Sequence, residues 1–498
     1  MTLGVVKVYN LFFTRSLPTF TSMLICLDIG TTNVKAFAFS DAGAIWATAE
    51  RRNQVLAPQL DRSEQDPAAI LQNMREVLAE ALAEANQREP LRGLVFSAAM
   101  HGLLAVDAAG KPLTNIWLWS DLRAAALAEP LRRSKVGLEI YHQTGVPIHP
   151  MSPLLKIIWL RQNDPEVFAK TYKFLGIKEF LLFHLLGKYL SDLSVGSATG
   201  LMNTRQNQWD AHALALAGIT ADQLPGLVLP THIEALSKEV AVALDLPEGL
   251  PVIIGGSDGA LANLGAGATT PGQWAVTIGT SAAIRMVSNT PLTDAKMRTF
   301  CYRLDADQCI VGGASNNGTN ALEWLRLPVF GSRRSAGTFA QSAADVEPAA
   351  MGLLFLPYLL GERAPLWDAQ ARGSFHGLTA QHNQAHFVRA VMEGVLFNLK
   401  VIAEPLEDIQ PIETIHAGGG FSNSRLWVQM LADIFQKPVC LDGRGVDASI
   451  LGALRVACQA LGLPDLVDRQ QVTMVQPDKA PAATYARAYA RFAQLSMG

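Results

Sequence analysis

One local design occurs twice in this chain, and the repeat narrows the folds open to it. Leu27-Asp28-Ile29-Gly30-Thr31-Thr32 near the start resembles Thr277-Ile278-Gly279-Thr280-Ser281 in the second half. In each copy an apolar β-rich run enters a turn of glycine and hydroxyl residues. The chain then resumes as a second β-rich run, VKAFAF after the first turn and AAIRMV after the second. A strand, a loop and a strand differ from the strand-then-helix order of Rossmann and P-loop units. Two such hairpins predict a duplicated α/β protein with a cleft between its halves, and 498 residues leave room for both. No Pro/Ser-rich linker separates them. The boundary is placed near residue 255, giving domains 23–255 and 256–498. The copies differ in charge at one position, Asp28 against Thr277.

Composition narrows the function. The net charge is -3 and 17% of residues are charged, so neither nucleic acid nor a membrane surface is expected as a partner. Five cysteines, at 26, 301, 309, 440 and 458, form no CxxC pair and no metal-ligand spacing. They read as reduced, buried thiols of a cytoplasmic protein. No uninterrupted apolar run reaches the ~18–20 residues of a membrane span. Residues 1–22 carry two basic and no acidic side chains, and their apolar runs are short. Met23 is read as the natural start, with 1–22 as an extension expected to be disordered.

The glycine loops suit phosphate. Gly30 lets backbone come close to an anion, and Thr31 and Thr32 add hydroxyl donors. Asp28, at a strand end, suits hydrated Mg²⁺ beside phosphate oxygens, and Lys35 offers a positive charge. Gly279 and Thr280 form the facing half of a phosphate clamp. Gly255-Gly256-Ser257-Asp258-Gly259 puts a carboxylate at the end of an apolar strand. Asp258 reads either as a general base that accepts a hydroxyl proton or as a cap on the next helix. Gly418-Gly419-Gly420 can accept a flat nucleoside, with Asn423 bonding its base or ribose. The other reading is a tight strand-to-helix turn with Asn423 as N-cap. Met100, His101, Trp119, Asp121 and Arg123 lie near strand ends in the first half and form a candidate sugar site. Against that, His101 reads as a core histidine, and Asp121 and Arg123 as a helix start.

Together these residues resemble the FGGY carbohydrate kinases, within the actin, hexokinase and Hsp70 superfamily. The resemblance runs from Met23 to about residue 460. Met151-Ser-Pro153-Leu-Leu-Lys156-Ile-Ile-Trp159-Leu-Arg-Gln-Asn163 is similar to one family signature, and Gly361-Glu-Arg-Ala-Pro-Leu-Trp-Asp368-Ala-Gln-Ala-Arg-Gly373 to the stretch around its second. It implies two ribonuclease H-like domains flanking a nucleotide cleft, with the acceptor on the first domain and ATP with Mg²⁺ mainly on the second. It also implies Asp258 as catalytic base, Asp28 near the metal, and Thr31, Thr32, Gly279 and Thr280 at the phosphates. Gly419 and Asn423 fall at the adenosine, and Met100 and His101 at the acceptor. Where the family has a glycine and a glutamine lining the nucleotide, this chain offers Gly318 or Thr319, and Glu323.

The runs 145–153, 117–123 and 313–318 are similar to gluconokinases within that family. The activity implied is phosphorylation of a small sugar or sugar acid, D-gluconate first, to 6-phosphogluconate. Xylulose or another pentulose or polyol stands as the alternative acceptor. An actin- or Hsp70-like ATPase and a non-catalytic sugar sensor are the more distant readings. Homodimerisation stays open.

Overall fold

The computed structural model describes residues 22–59, 61–85, 90–442, 446–467 and 472–497. The reading of residues 1–22 therefore falls almost wholly outside the described residues.

The first sheet contains β1 (Met23–Ile29), β2 (Asn33–Ser40), β3 (Ile45–Arg52), β4 (Leu91–Ala98), β5 (Ile233–Ala235) and β6 (Pro251–Ser257). Its spatial order is β5-β6-β4-β1-β2-β3. β1 pairs antiparallel with β2 and β2 with β3, whereas β4 lies parallel to β1 and β6 parallel to β4. The second sheet contains β7 (Gln273–Ile278), β8 (Ala282–Ser288), β9 (Phe300–Arg303), β10 (Cys309–Ser315), β11 (Thr414–Gly418), β12 (Val439–Asp442) and β13 (Val472–Val475). Its order is β9-β10-β8-β7-β11-β12-β13. The five-strand pattern β3-β2-β1-β4-β6 thus recurs as β10-β8-β7-β11-β12, with the same pairing senses. The repeat seen in the sequence is a repeat of topology. β6 extends to Ser257, so the first sheet ends two residues past the expected boundary.

Strand parity decides what reaches the cleft. Side chains alternate faces along a strand. On β1 the odd-numbered Met23, Ile25, Leu27 and Ile29 pack with α1 (Pro67–Ala85). The even-numbered Leu24 and Cys26 pack with Ile450, Leu451 and Leu454 of α8 (Ala448–Ala460). Each such apolar side chain contributes about 1.5–3 kcal/mol when buried. Asp28 is even-numbered and so faces the same way as α8. On β7, Trp274, Val276 and Ile278 enter the core formed with α6 (Gln384–Glu407). Thr277 therefore points to the opposite face.

Two helices join the halves. α4 (Asp258–Ala266) continues from β6, and α8 crosses it. The crossing is as close as backbone permits. A Cβ on Gly265 would overlap the Ala448 carbonyl oxygen, and one on Gly452 would overlap that of Leu261. α8 comes from the second half by sequence yet covers the first sheet.

The region between β4 and β6 carries α2 (Pro153–Asn163) and α3 (Ile177–Leu186). Ser152 caps α2 by accepting from the Leu155 N–H, and Pro153 occupies its first turn. Both segments read as amphipathic in the sequence. In the structure they are buried almost all round, and their lysines are satisfied internally. Lys178 pairs with Asp192, and Lys156 bonds three carbonyls. Among the described residues no helix is long and apolar enough to cross a membrane.

Candidate active site

Two adjoining cavities lie between the sheets. A cavity of about 810 Å³ is lined by Met100, His101, Trp119, Tyr302, Arg363 and Trp367, among others. A larger cleft of about 1550 Å³ is lined by Asp28, Gly279, Thr280, Gly418, Gly419 and Asn423, among others. Asp258, Gly259, Ser281 and Arg285 line both. Asp258 therefore stands where a ligand in one cavity meets a ligand in the other.

Asp258 is the first residue of α4, and Ser257 is the N-cap, accepting from the Ala260 N–H. The capping alternative thus belongs to Ser257, which leaves the Asp258 carboxylate available. It accepts the Gly259 N–H at 2.6 Å. Burial raises its pKa above the usual carboxylate range, and Arg285 and Arg363 oppose that rise.

Asp28 accepts a hydrogen bond from Ser97 at 2.6 Å. Burial pushes its carboxyl up to about 7. The Ser97 bond and Lys35 oppose the rise, while Asp258 and Asp447 reinforce it. Several carboxylates thus crowd one end of the cleft. Lys35 does not line the cleft. Its ammonium pairs with Asp447 at 2.6 Å, across the gap between the halves.

The first glycine loop is held from outside. Asn53 donates to the Gly30 carbonyl at 2.9 Å, and Gln65 donates to that of Thr31 at 2.6 Å. Thr31 lines the smaller cavity, and Thr32 is exposed. The second loop is braced from behind, since the Gly318 N–H donates to Thr280 and the Thr319 N–H to Gly279. Gly318 therefore supports the loop without lining the cleft, and Glu323 turns aside to pair with Arg326. Gly419 has φ +93, and a Cβ there would sit 2.6 Å from the Ile278 carbonyl oxygen, so glycine is required. Gly418 and Gly420 face open space.

In the smaller cavity, His101 has φ 68, and its Nδ1 lies 2.8 Å from the Ala198 carbonyl. A carbonyl only accepts, so Nδ1 carries the proton and Nε2 is an acceptor, 3.5 Å from the Tyr302 hydroxyl. Burial lowers the His101 pKa to about 3, so the ring is neutral. The structure does not bring Asp121 and Arg123 to this cavity. Both are buried, Arg123 pairs with Asp121 and with Glu64, and its guanidinium lies 3.7 Å over the Trp117 ring. They brace the segment that leads to Trp119.

Sequence reading assigned no role to Lys156, Arg285, Tyr302 or Arg363. The Lys156 ammonium donates to His101, Trp117 and Leu118, which ties together the loops carrying His101 and Trp119. Burial lowers its pKa to about 7. A lysine inside so apolar a helix was the available signal, because buried ammonium needs several acceptors.

Paired core sheets, facing glycine hairpins and a carboxylate at the junction of two cavities define a phosphotransferase of the actin and hexokinase fold class. The chain matches the N-terminal domain of the FGGY family of carbohydrate kinases over residues 23–265 and its C-terminal domain over 274–461, and it belongs to that family. It is 39% identical to a gluconokinase of Bacillus subtilis over 460 residues, spanning 90% of this chain and 89% of that protein. It is 31% identical to a xylulose kinase of the same organism, covering 84% of each. A crystal structure of gluconate kinase from Lactobacillus acidophilus superposes with a TM-score of 0.91 at 32% identity, covering 95% of this chain and 97% of that one.

Proposed function

We propose that this carbohydrate kinase transfers the γ-phosphoryl group of ATP to D-gluconate, giving 6-phosphogluconate, with Asp258 as general base. The observation that carries the reading is the position of Asp258, which lines both cavities at once. The acceptor enters the smaller cavity, and the nucleotide enters the cleft bounded by the second glycine loop and Gly418–Gly420.

Asp258 takes the proton of the attacking hydroxyl as its oxygen bonds to phosphorus, and the bond to the ADP oxygen breaks. Backbone N–H groups and hydroxyls of the two glycine loops hold the phosphates in line. The carboxylates around Asp28 suit a divalent cation that completes its shell with water and phosphate oxygens, as Mg²⁺ does. Mg²⁺ bound there would neutralise phosphate charge. His101 Nε2 accepts from an acceptor hydroxyl, and Trp119 and Trp367 pack on its C–H faces.

The test is ADP release with MgATP and single acceptors: gluconate, xylulose, ribulose, glycerol and glucose. Stimulation by gluconate far above the rest is expected. Stimulation by a pentulose instead would remove the gluconate assignment.

A further inference from the structure

The smaller cavity is lined by one carboxylate, Asp258, and two guanidiniums, Arg285 and Arg363, while His101 is neutral. The two arginines are held differently. Arg363 is built into the wall: Nε donates to Asn316 at 2.8 Å, Nη2 donates to the Ser315 carbonyl at 3.1 Å, and the group lies 4.7 Å over Trp119. Arg285 has one long hydrogen bond, from Nη1 to the Thr277 hydroxyl at 3.5 Å, and forms no ion pair among the described residues. The residue lines the smaller cavity and the larger cleft alike. Burial lowers its pKa only to about 10, so it stays charged at neutral pH.

A charged guanidinium with unused donors in a cavity wall is a ready partner for an anion. β8 runs from the phosphate-side loop Gly279-Thr280 into the smaller cavity, where Ser281, Ala283 and Arg285 lie along its wall. At ~3.4 Å per residue, the Arg285 backbone stands roughly 17 Å from Thr280. The small Ala283 between them leaves room for a ligand. Its guanidinium reaches back beside the start of α4, since a Cβ on Gly259 would lie 3.5 Å from Nη2.

We propose that Arg285 anchors the carboxylate of the acceptor and so sets the preference for sugar acids over neutral sugars. This rests on the reading of the acceptor as a sugar acid. The acid end lies against Arg285 and the reacting hydroxyl against Asp258. A neutral acceptor of the same length offers Arg285 a single uncharged hydroxyl oxygen, whereas a carboxylate offers two charged oxygens and completes its donors with charge-assisted bonds.

The test compares the wild-type full chain with Arg285→Met and Arg285→Lys on D-gluconate and on D-glucitol, which replaces the carboxylate by a hydroxymethyl group. Arg285→Met is expected to lower kcat/KM for gluconate about 100-fold or more, mainly through KM. The gluconate-to-glucitol selectivity falls with it, and Arg285→Lys recovers part of the loss. A wild-type KM for gluconate in Arg285→Met overturns the assignment. So does an equal loss of kcat on both acceptors, which would place Arg285 on the transferring phosphoryl group. ADP binding by calorimetry checks that each variant is folded, and Arg285→Gln replaces Arg285→Met if the latter is not. A wild-type enzyme that ignores gluconate but phosphorylates xylulose removes the acceptor reading itself, before any variant is measured.

Discussion

The two glycine hairpins share a topology but carry opposite chemistry at matching positions. In the first, Asp28 pairs across the hairpin with Lys35 and lies beside Ser97 on the parallel neighbour. In the second, Thr277 pairs with Ala283 and lies beside Gly418. Where one copy holds an acid, a base and a hydroxyl, the other holds a hydroxyl, a methyl and bare backbone. The first hairpin thus supplies charge, and the second supplies space. The helices after the matching strands β6 and β12 show a subtler difference. Asp258 opens α4 and Asp447 precedes α8, but Asp258 lines both cavities while Asp447 is paired with Lys35.

That contrast can be broken first at the two helix-start aspartates. Asp258→Asn is expected to lower turnover about 10²–10⁴-fold with acceptor binding largely kept. Asp447→Asn should cost far less. Steady-state kinetics with product analysis measures both, and near-wild-type turnover in Asp258→Asn would remove it from the base role. A smaller effect is expected at the hairpins. Asp28→Asn should raise the half-saturating Mg²⁺ concentration about 10-fold or more, whereas Thr277→Val should leave it near the wild-type value. Equal shifts in a Mg²⁺ titration would show that the two hairpins share the metal task.

Much of this was legible in the sequence because it is written locally. Alternating apolar strands, glycine turns and Ser152-Pro153 each specify their own geometry, so both hairpins and α2 could be read directly. Asp121 and Arg123 could not, since their partner Glu64 is distant in sequence and only folding shows that the trio is sealed. Arg285 left a fainter trace as one cation in the apolar run AAIRMV, with nothing to say which face it takes. The packing of α8 on the first sheet was also hidden, because an apolar helix does not announce which sheet it covers.

The smallest effect concerns His101 and sharpens the picture of a neutral acceptor site. Its folded pKa, about 3, lies below the ordinary value of 6.5. Between those values the unfolded chain binds the extra proton, so stability is lost as pH falls from 6.5 towards 3. The slope is at most about 1.4 kcal/mol per pH unit for one such group. Urea unfolding at pH 4 to 7 should therefore show a shallower pH dependence for His101→Gln than for wild type. His149, also lowered to about 3, retains its own share. Identical slopes would mean that His101 titrates in the folded protein as it does in the unfolded chain.

The crossing of α4 and α8 has a consequence for anyone recombining such kinases. A hybrid joined just after α4 would lay a foreign α8 across the native first sheet and press it against a native α4. Gly265 and Gly452 would then come from different parents, although neither tolerates even a methyl group at the seam. Acceptor preference is thus more safely moved between relatives by changing side chains on β8 and around Trp119 than by trading halves.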